Sequence, residues 1–324
     1  MSRDVVDARA TEPTGKRVPS EAAPATGRRR RSRVTWSTRR SVALMAPAGA
    51  FLVVFCVYPL EELVRMSLSE VQSAQLLDRQ WRFVGLDNFR ETVLDRDFAQ
   101  AVTNTLLLMV VVVSITLVGG VASAFVLQRR TRVNQGIQAL MVFLWALPPL
   151  VSASIWKFLL SGDGLLPMLL VRLGVADSPP TPLADAGWAL LVVAVAISWS
   201  GVAFASLTMR AGLLGLDRYQ VEAAALDGAS RRQIARYVVL PALRPAILVQ
   251  ALLAMIYAFR IFDYPFVMTS GGPGTASTTL PYLAYKQSFA QLSFGTGAAT
   301  AVISVAFVLG FAMIYLWLIR EESE

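Results

Sequence analysis

The 324-residue chain is 55% hydrophobic with a mean hydropathy of +0.53, more apolar matter than one soluble core of this length buries, which places it among multispan membrane proteins. It has no histidine and a single cysteine, Cys56, so zinc sites, Ser-His-Asp or Cys-His catalysis and internal disulfides are excluded. The net charge of +8 is concentrated in the first 40 residues, which hold 11 Lys and Arg against 4 acids.

Residues 1–40 are rich in Ala, Pro, Thr and Arg without periodicity and read as a disordered basic tail. Its run Arg28-Arg29-Arg30-Arg31-Ser32-Arg33 directly precedes an apolar segment. A cluster so placed anchors a cytoplasmic end to anionic lipid, and with no aromatic-and-basic fold beside it nucleic acid is not the expected partner. A signal-peptide reading of Ser37-Thr38-Arg39-Arg40-Ser41 fails because the apolar run continues well beyond Ala46-Pro47-Ala48.

Apolar runs of about 20 residues, enough to cross a bilayer, fall near 42–60, 101–127, 137–160, 187–209, 245–266 and 296–319. The expected fold is therefore all-α, a polytopic bundle of six transmembrane helices spanning residues 41–320, with 321–324 as a short tail. Cys56, inside the first run, reads as a packing or lipid-facing residue. The loop after span two carries Arg129, Arg130 and Arg132 with no acid, and the loop after span four carries six arginines. Both loops are placed in the cytoplasm by that bias, and both termini with them. The acid-rich segment 61–100 and the segment 161–186 are then external. Within them Asp87 is expected to cap a helix leading to span two, and 165–173 to form an apolar element too short to span.

Pro47 and Pro148-Pro149 should kink their helices, while Gly119-Gly120 allows two helices to approach closely. Lys157, near the end of span three, is expected to snorkel to the outer headgroups. Arg260 and Asp263 stand three apart toward the outer part of span five, where they read either as a structural ion pair on one helical face or as the lining of a polar route. Phe259, Phe262, Tyr264 and Phe266 surround them with rings of the kind that stack on sugars. Further candidates for the route are Trp156 and Trp199, with Ser152, Ser154, Ser198 and Ser200 beside them. Gly271, Gly272 and Pro273 cannot continue a helix and must turn at the outer surface.

The most telling segment lies between spans four and five, about residues 218–241. Glu222, Ala223 and Ala224 are followed by Gly228 and, ten residues on, by Val238, Leu240 and Pro241. This pattern resembles the EAA loop of ATP-binding-cassette (ABC) importer permeases, with Val238 where the family usually has Ile. The stretch Phe259 to Pro273, together with Val84-Gly85-Leu86-Asp87-Asn88-Phe89 and Asn104-Thr105-Leu106, is similar to the maltose and glycerol-phosphate kind of carbohydrate-uptake permease. The likeness covers roughly 42–320. It lacks the long external domain and two extra N-terminal spans of some maltose-type members.

The resemblance implies a type I importer permease working with a second permease, two ATPase subunits and an external or lipid-anchored substrate-binding protein, moving a carbohydrate or polyol by alternating access. Glu222, Ala223, Ala224, Gly228, Leu240 and Pro241 would dock the ATPases. In that reading Ala223 and Ala224 keep the first short helix slim, and Glu222 lies near its start. Gly228 makes the turn, and Leu240-Pro241 ends the second helix. No Gly-x-x-x-x-Gly-Lys-Ser/Thr loop exists, so the chain is not expected to be an enzyme, and ATP with Mg²⁺ would bind the partner subunits. The alternative is a secondary active transporter without ATPases.

Overall fold

In the computed structural model, residues 38–72, 81–128 and 131–321 are described. The expectations for the tail up to Arg33, for Arg129 and Arg130 and for residues 322–324 lie outside them. The chain divides into a unit of residues 1–52 and a larger one of 53–324. The described part of the first is helix α1 (Thr38–Leu52), which passes through Pro47 without interruption. All that follows concerns the larger unit.

There the chain runs from α2 (Tyr58–Ser67) into a two-stranded antiparallel ribbon, β1 (Ser69–Glu70) against β2 (Arg82–Phe83), with Ser69 facing Phe83. The ribbon's end is tied by an Arg82–Glu70 ion pair of 2.7 Å. A short helix, α3 (Asp87–Leu94), leads to α4 (Arg96–Val126). Asp87 occupies the first turn of α3, where its charge suits the helix dipole, but it makes no cap. Capping falls to Asp95, whose carboxylate accepts from the Asp97 amide at 3.0 Å and starts α4. At 31 residues, α4 measures about 46 Å, longer than the roughly 30 Å hydrocarbon layer, and its excess length includes the polar start with Arg96, Asp97 and Gln100.

The segment expected as the third span, 137–160, is two helices. α5 (Arg132–Ala146) and α6 (Pro149–Leu160) are separated by Leu147 and Pro148, both extended with ψ of 136° and 138°. The ring of Pro149 removes the amide that would bridge the gap, and residues before proline avoid the helical region. The expected kink is thus a full break. Apolar helix resumes as α7 (Leu165–Arg172), the anticipated short element, after a turn at 161–164.

Span four is α8 (Ala189–Leu214), and three residues later the chain enters α9 (Arg218–Leu226). A short α10 (Arg231–Ile234) widens into a π turn (Ala235–Val239) and continues directly into α11 (Leu240–Arg260). Here the expectation that Pro241 ends the second helix is corrected. Pro241 lies in the first turn of α11 just past the wide turn, where its missing amide costs little, and the helix passes through it. After α11 come a π turn (Pro265–Thr269), the loop 270–279, α12 (Leu280–Tyr285) and finally α13 (Phe294–Glu321).

Among the described residues of both units, six apolar helical stretches are long enough to cross a membrane; the third is Pro149–Arg172, which takes in α6 and α7 and leaves out α5, so the expected span at 137–160 is shifted toward the C-terminus by the break at Leu147 and Pro148. The core of the bundle is where α4 and α8 cross. A β-carbon added at Gly120 would stand 2.5 Å from that of Ala205, one at Gly119 would stand 2.7 Å from a Val202 methyl, and one at Gly201 would stand 2.7 Å from Thr116 Oγ1. In lipid, association rests on such backbone proximity, since apolar side chains gain little from leaving hydrocarbon. Leu108, Val112, Ile197, Phe259 and Tyr264 are buried around this crossing.

Candidate functional site

Two regions converge on this core. The first is a cavity of about 420 Å³ among α4, the 145–149 break, α8 and α11. Its wall mixes rings (Trp145, Phe204, Tyr257, Tyr264) with polar groups, and two of those polar groups are orphaned. Thr116 (1% exposed) and Gln250 (2% exposed) each hold a side-chain oxygen with no hydrogen-bond partner. A buried polar atom left unsatisfied costs about 1–3 kcal/mol, a cost the fold carries at this wall.

Of the residues expected to line a route, Arg260, Tyr264 and Ser200 do face this cavity. Arg260 does not pair with Asp263. The i, i+3 argument presumes a continuous helix, and α11 stops at Arg260 with Ile261 extended (ψ 125°), which throws Asp263 off the Arg260 face. The remaining candidates lie elsewhere. Trp156 and Trp199 meet edge-to-face at 5.5 Å, their indole nitrogens buried without partners, outside the cavity wall. Ser198 is buried and donates to the Ala194 carbonyl, Ser152 is buried with its hydroxyl unpartnered, and Ser154 is exposed.

Phe262 points away from the cavity into a ladder of rings. It stacks on Phe266 (5.0 Å) and meets Tyr285 (4.9 Å), which continues to Phe289 (5.2 Å). The tyrosines of this ladder escaped the sequence reading because α12 joins it only through the fold. Burial, with Tyr285 beside it, pushes the Tyr282 phenol above its ordinary range, so it stays a donor to the Ser270 carbonyl at 2.8 Å.

Gly271, Gly272 and Pro273 form the turn expected of them, with Gly271 at φ +77°. The turn is also pinned from α4. Asn104 donates to the carbonyls of Thr275 and Thr278 at 2.9 Å each, and the Thr105 hydroxyl accepts from the Leu280 amide at 2.9 Å.

At the opposite end of the bundle lies the 218–241 segment. Asp217 caps α9 by accepting from the Tyr219 amide, and a Ser230–Gln233 capping box starts α10. Between them Gly228 sits at φ +83° with open space around its α-carbon, so backbone handedness alone requires glycine there. Ala223 and Glu222 are exposed and Ala224 is half-buried, while Leu240 and Pro241 lie exposed at the head of α11. Glu222 lies one turn into α9, not at its start, so it gains little from the helix dipole. It borders a cleft of about 460 Å³ shared with Arg210. Around these residues the segment exposes three large side chains that the sequence reading passed over: Leu226 (89%), Tyr219 (80%) and Tyr237 (70%). All three stand on the same short segment as Arg231, Arg232 and Arg236.

Residues 115–322 match the family model described as "Binding-protein-dependent transport system inner membrane component". Among curated proteins, the trehalose/maltose transport system permease MalF of Thermococcus litoralis is 32% identical, covering 72% of this chain and 79% of its own. The sn-glycerol-3-phosphate permease UgpA of Yersinia pestis is 30% identical over 86% and 93%, and the diacetylchitobiose permease DasB of Streptomyces coelicolor 28% over 87% and 87%. Among solved structures, a bacterial ABC transporter importing the acidic polysaccharide alginate superposes with a TM-score of 0.75 at 18% identity, over 88% of this chain and 96% of that one.

Proposed function

The chain belongs to the family of binding-protein-dependent transport system inner membrane components, the permease subunits of ABC importers, and from that membership we propose that it carries a carbohydrate or related polyol across the membrane. One observation supports the coupling half of this reading above all. The exposed hairpin around Glu222 is joined directly to α8 and α11, two helices whose side chains wall the cavity. A force applied to the hairpin therefore acts on the cavity without an intermediary.

In this mechanism a second permease subunit completes the pathway and one of two ATPase subunits seats against Tyr219, Leu226 and Tyr237, the other meeting the second permease. ATP and Mg²⁺ bind those subunits, and an external or lipid-anchored protein delivers the solute. The arginine-bearing loops lie in the cytoplasm with both termini, as the charge bias requires. Closure of the ATPases shifts the hairpin, and the cavity exchanges inward for outward access. The sugar assignment draws on the relatives named above and on the cavity's chemistry. Rings offer flat apolar faces to the C–H side of a sugar. Thr116, Gln250 and Arg260 offer partners to its hydroxyls.

Reconstitution tests the reading. The complex purified from its native membrane is inserted in vesicles and supplied with its binding protein and a panel of labelled sugars. Uptake that requires ATP on the ATPase side supports it; uptake that continues without ATP on an ion gradient overturns it.

A further inference from the structure

Helix α5 buries none of its described side chains, yet it contributes Trp145 to the cavity wall, with Leu147 just beyond its end. Only Asn134, Gln138, Met141 and Leu144 on it are even half-buried, so few contacts hold it in register. Two specific contacts fix it to α8. Near the cavity the Trp145 ring stacks on Phe204 at 5.2 Å and 16°. Toward the hairpin end the Arg210 guanidinium donates to Gln138 Oε1. The same Gln138 amide also donates from Nε2 to the Leu127 carbonyl at 3.1 Å, a helix-terminal acceptor beyond the last turn of α4. One side chain thereby joins α4, α5 and α8. Arg210 also borders the cleft that holds Glu222, and only residues 215–217 separate α8 from α9.

Resting on the importer reading, we propose that Arg210 and Gln138 form a latch that makes α5 travel with the coupling hairpin, turning about the extended residues Leu147 and Pro148, so that hairpin motion reaches the cavity wall. Arg210 and Gln138 are positioning residues: they touch neither solute nor nucleotide. Without the latch, α8 moves and α5 lags behind it. The ATPases then cycle without opening the cavity.

The test uses the complete reconstituted complex. Arg210→Met and Gln138→Leu keep side-chain bulk while removing the bond. Each is expected to assemble, to hold ATPase activity within about twofold, and to lower uptake per ATP about 5- to 10-fold, the range of a typical coupling energy. The double variant should be no worse than the poorer single one, and Arg210→Lys, which keeps a donor, should recover part of the loss. Unchanged uptake per ATP in both singles, or losses that multiply in the double, would overturn the latch.

A second measurement needs no latch variant. In a Cys56→Ser background, spin labels at Val133 on α5, Leu214 on α8 and Phe158 on α6, all exposed, report distances through the ATP cycle. The latch requires a constant Val133–Leu214 distance while Val133–Phe158 changes; the reverse pattern refutes it. A wild-type complex that takes up sugar without ATP sinks the importer reading instead, and so the two failures are told apart.

Discussion

Gly120 of α4 and Ala205 of α8 touch across the centre of the bundle so closely that a β-carbon on Gly120 would stand 2.5 Å from the Ala205 side chain and 3.2 Å from its carbonyl carbon. The obstacle is a methyl group with no rotamer to change, with backbone directly behind it. Gly120→Val should force the two helices apart and cost about 3 kcal/mol or more. Thermal unfolding in detergent should show it, against Gly136→Ala as control. Gly136 has nothing within 4 Å of an added β-carbon, so alanine there should leave stability unchanged or raise it by up to about 1 kcal/mol.

Gly228 poses the opposite case, with space but a left-handed backbone. Gly228→Ala should cost about 1–2 kcal/mol of local stability and weaken ATPase docking, while Gly228→Asn, which tolerates that conformation, should lose less. Binding of the purified ATPase to the permease measures both. Equal docking by the alanine variant and the parent would remove the turn from the interface.

Glu222→Lys, by contrast, leaves the fold alone, since Glu222 is exposed on α9. It is expected to keep expression and assembly but to separate ATP hydrolysis from uptake. Simultaneous assays of phosphate release and sugar accumulation would decide the matter, and full uptake by this variant would count against the coupling role.

Asn104 holds two loop carbonyls with one amide. Asn104→Leu strands the buried Thr278 carbonyl, while that of Thr275 keeps the Thr278 amide at 3.1 Å, and a buried acceptor left unmet costs about 1–3 kcal/mol. Hydrogen exchange at 275–280 should accelerate by one to two orders of magnitude, on the order of 2 kcal/mol, with exchange in α13 unaffected.

In the cavity wall, Gln250→Leu removes a buried acceptor that has no hydrogen-bond partner within the protein. Stability should hold or rise, because an unmet polar atom disappears. The half-saturating sugar concentration should rise about tenfold, as expected for one lost hydrogen bond. A stable variant with unaltered uptake would place the sugar elsewhere.

Five of the six spans were legible in place because a bilayer imposes their length on composition; at Pro148-Pro149 a disturbance was legible because proline acts on its own backbone, but the expected kink is a break that moves the third span to 149–172. Gly228 was legible for the same local reason. What the sequence hid was set by distance or by an ending. Arg260 and Asp263 were assigned one helical face, and nothing in their neighbourhood announces that α11 stops between them. Asn104 and Thr275 lie 171 positions apart, and Arg210 and Gln138 72 apart, so neither pairing leaves a periodic trace. Tyr219, Leu226 and Tyr237 look like ordinary hairpin residues until the fold leaves them uncovered.

The loop anchored by Asn104 and Thr105 travels with α4. Its bonds run to that helix, whose other face is seated on α8 through Gly119 and Gly120. Between Gly120 and Ala205 there is no slack, so a displacement of α8 that starts at the hairpin is shared with α4 and, through two side chains, with the loop at the far end of the bundle.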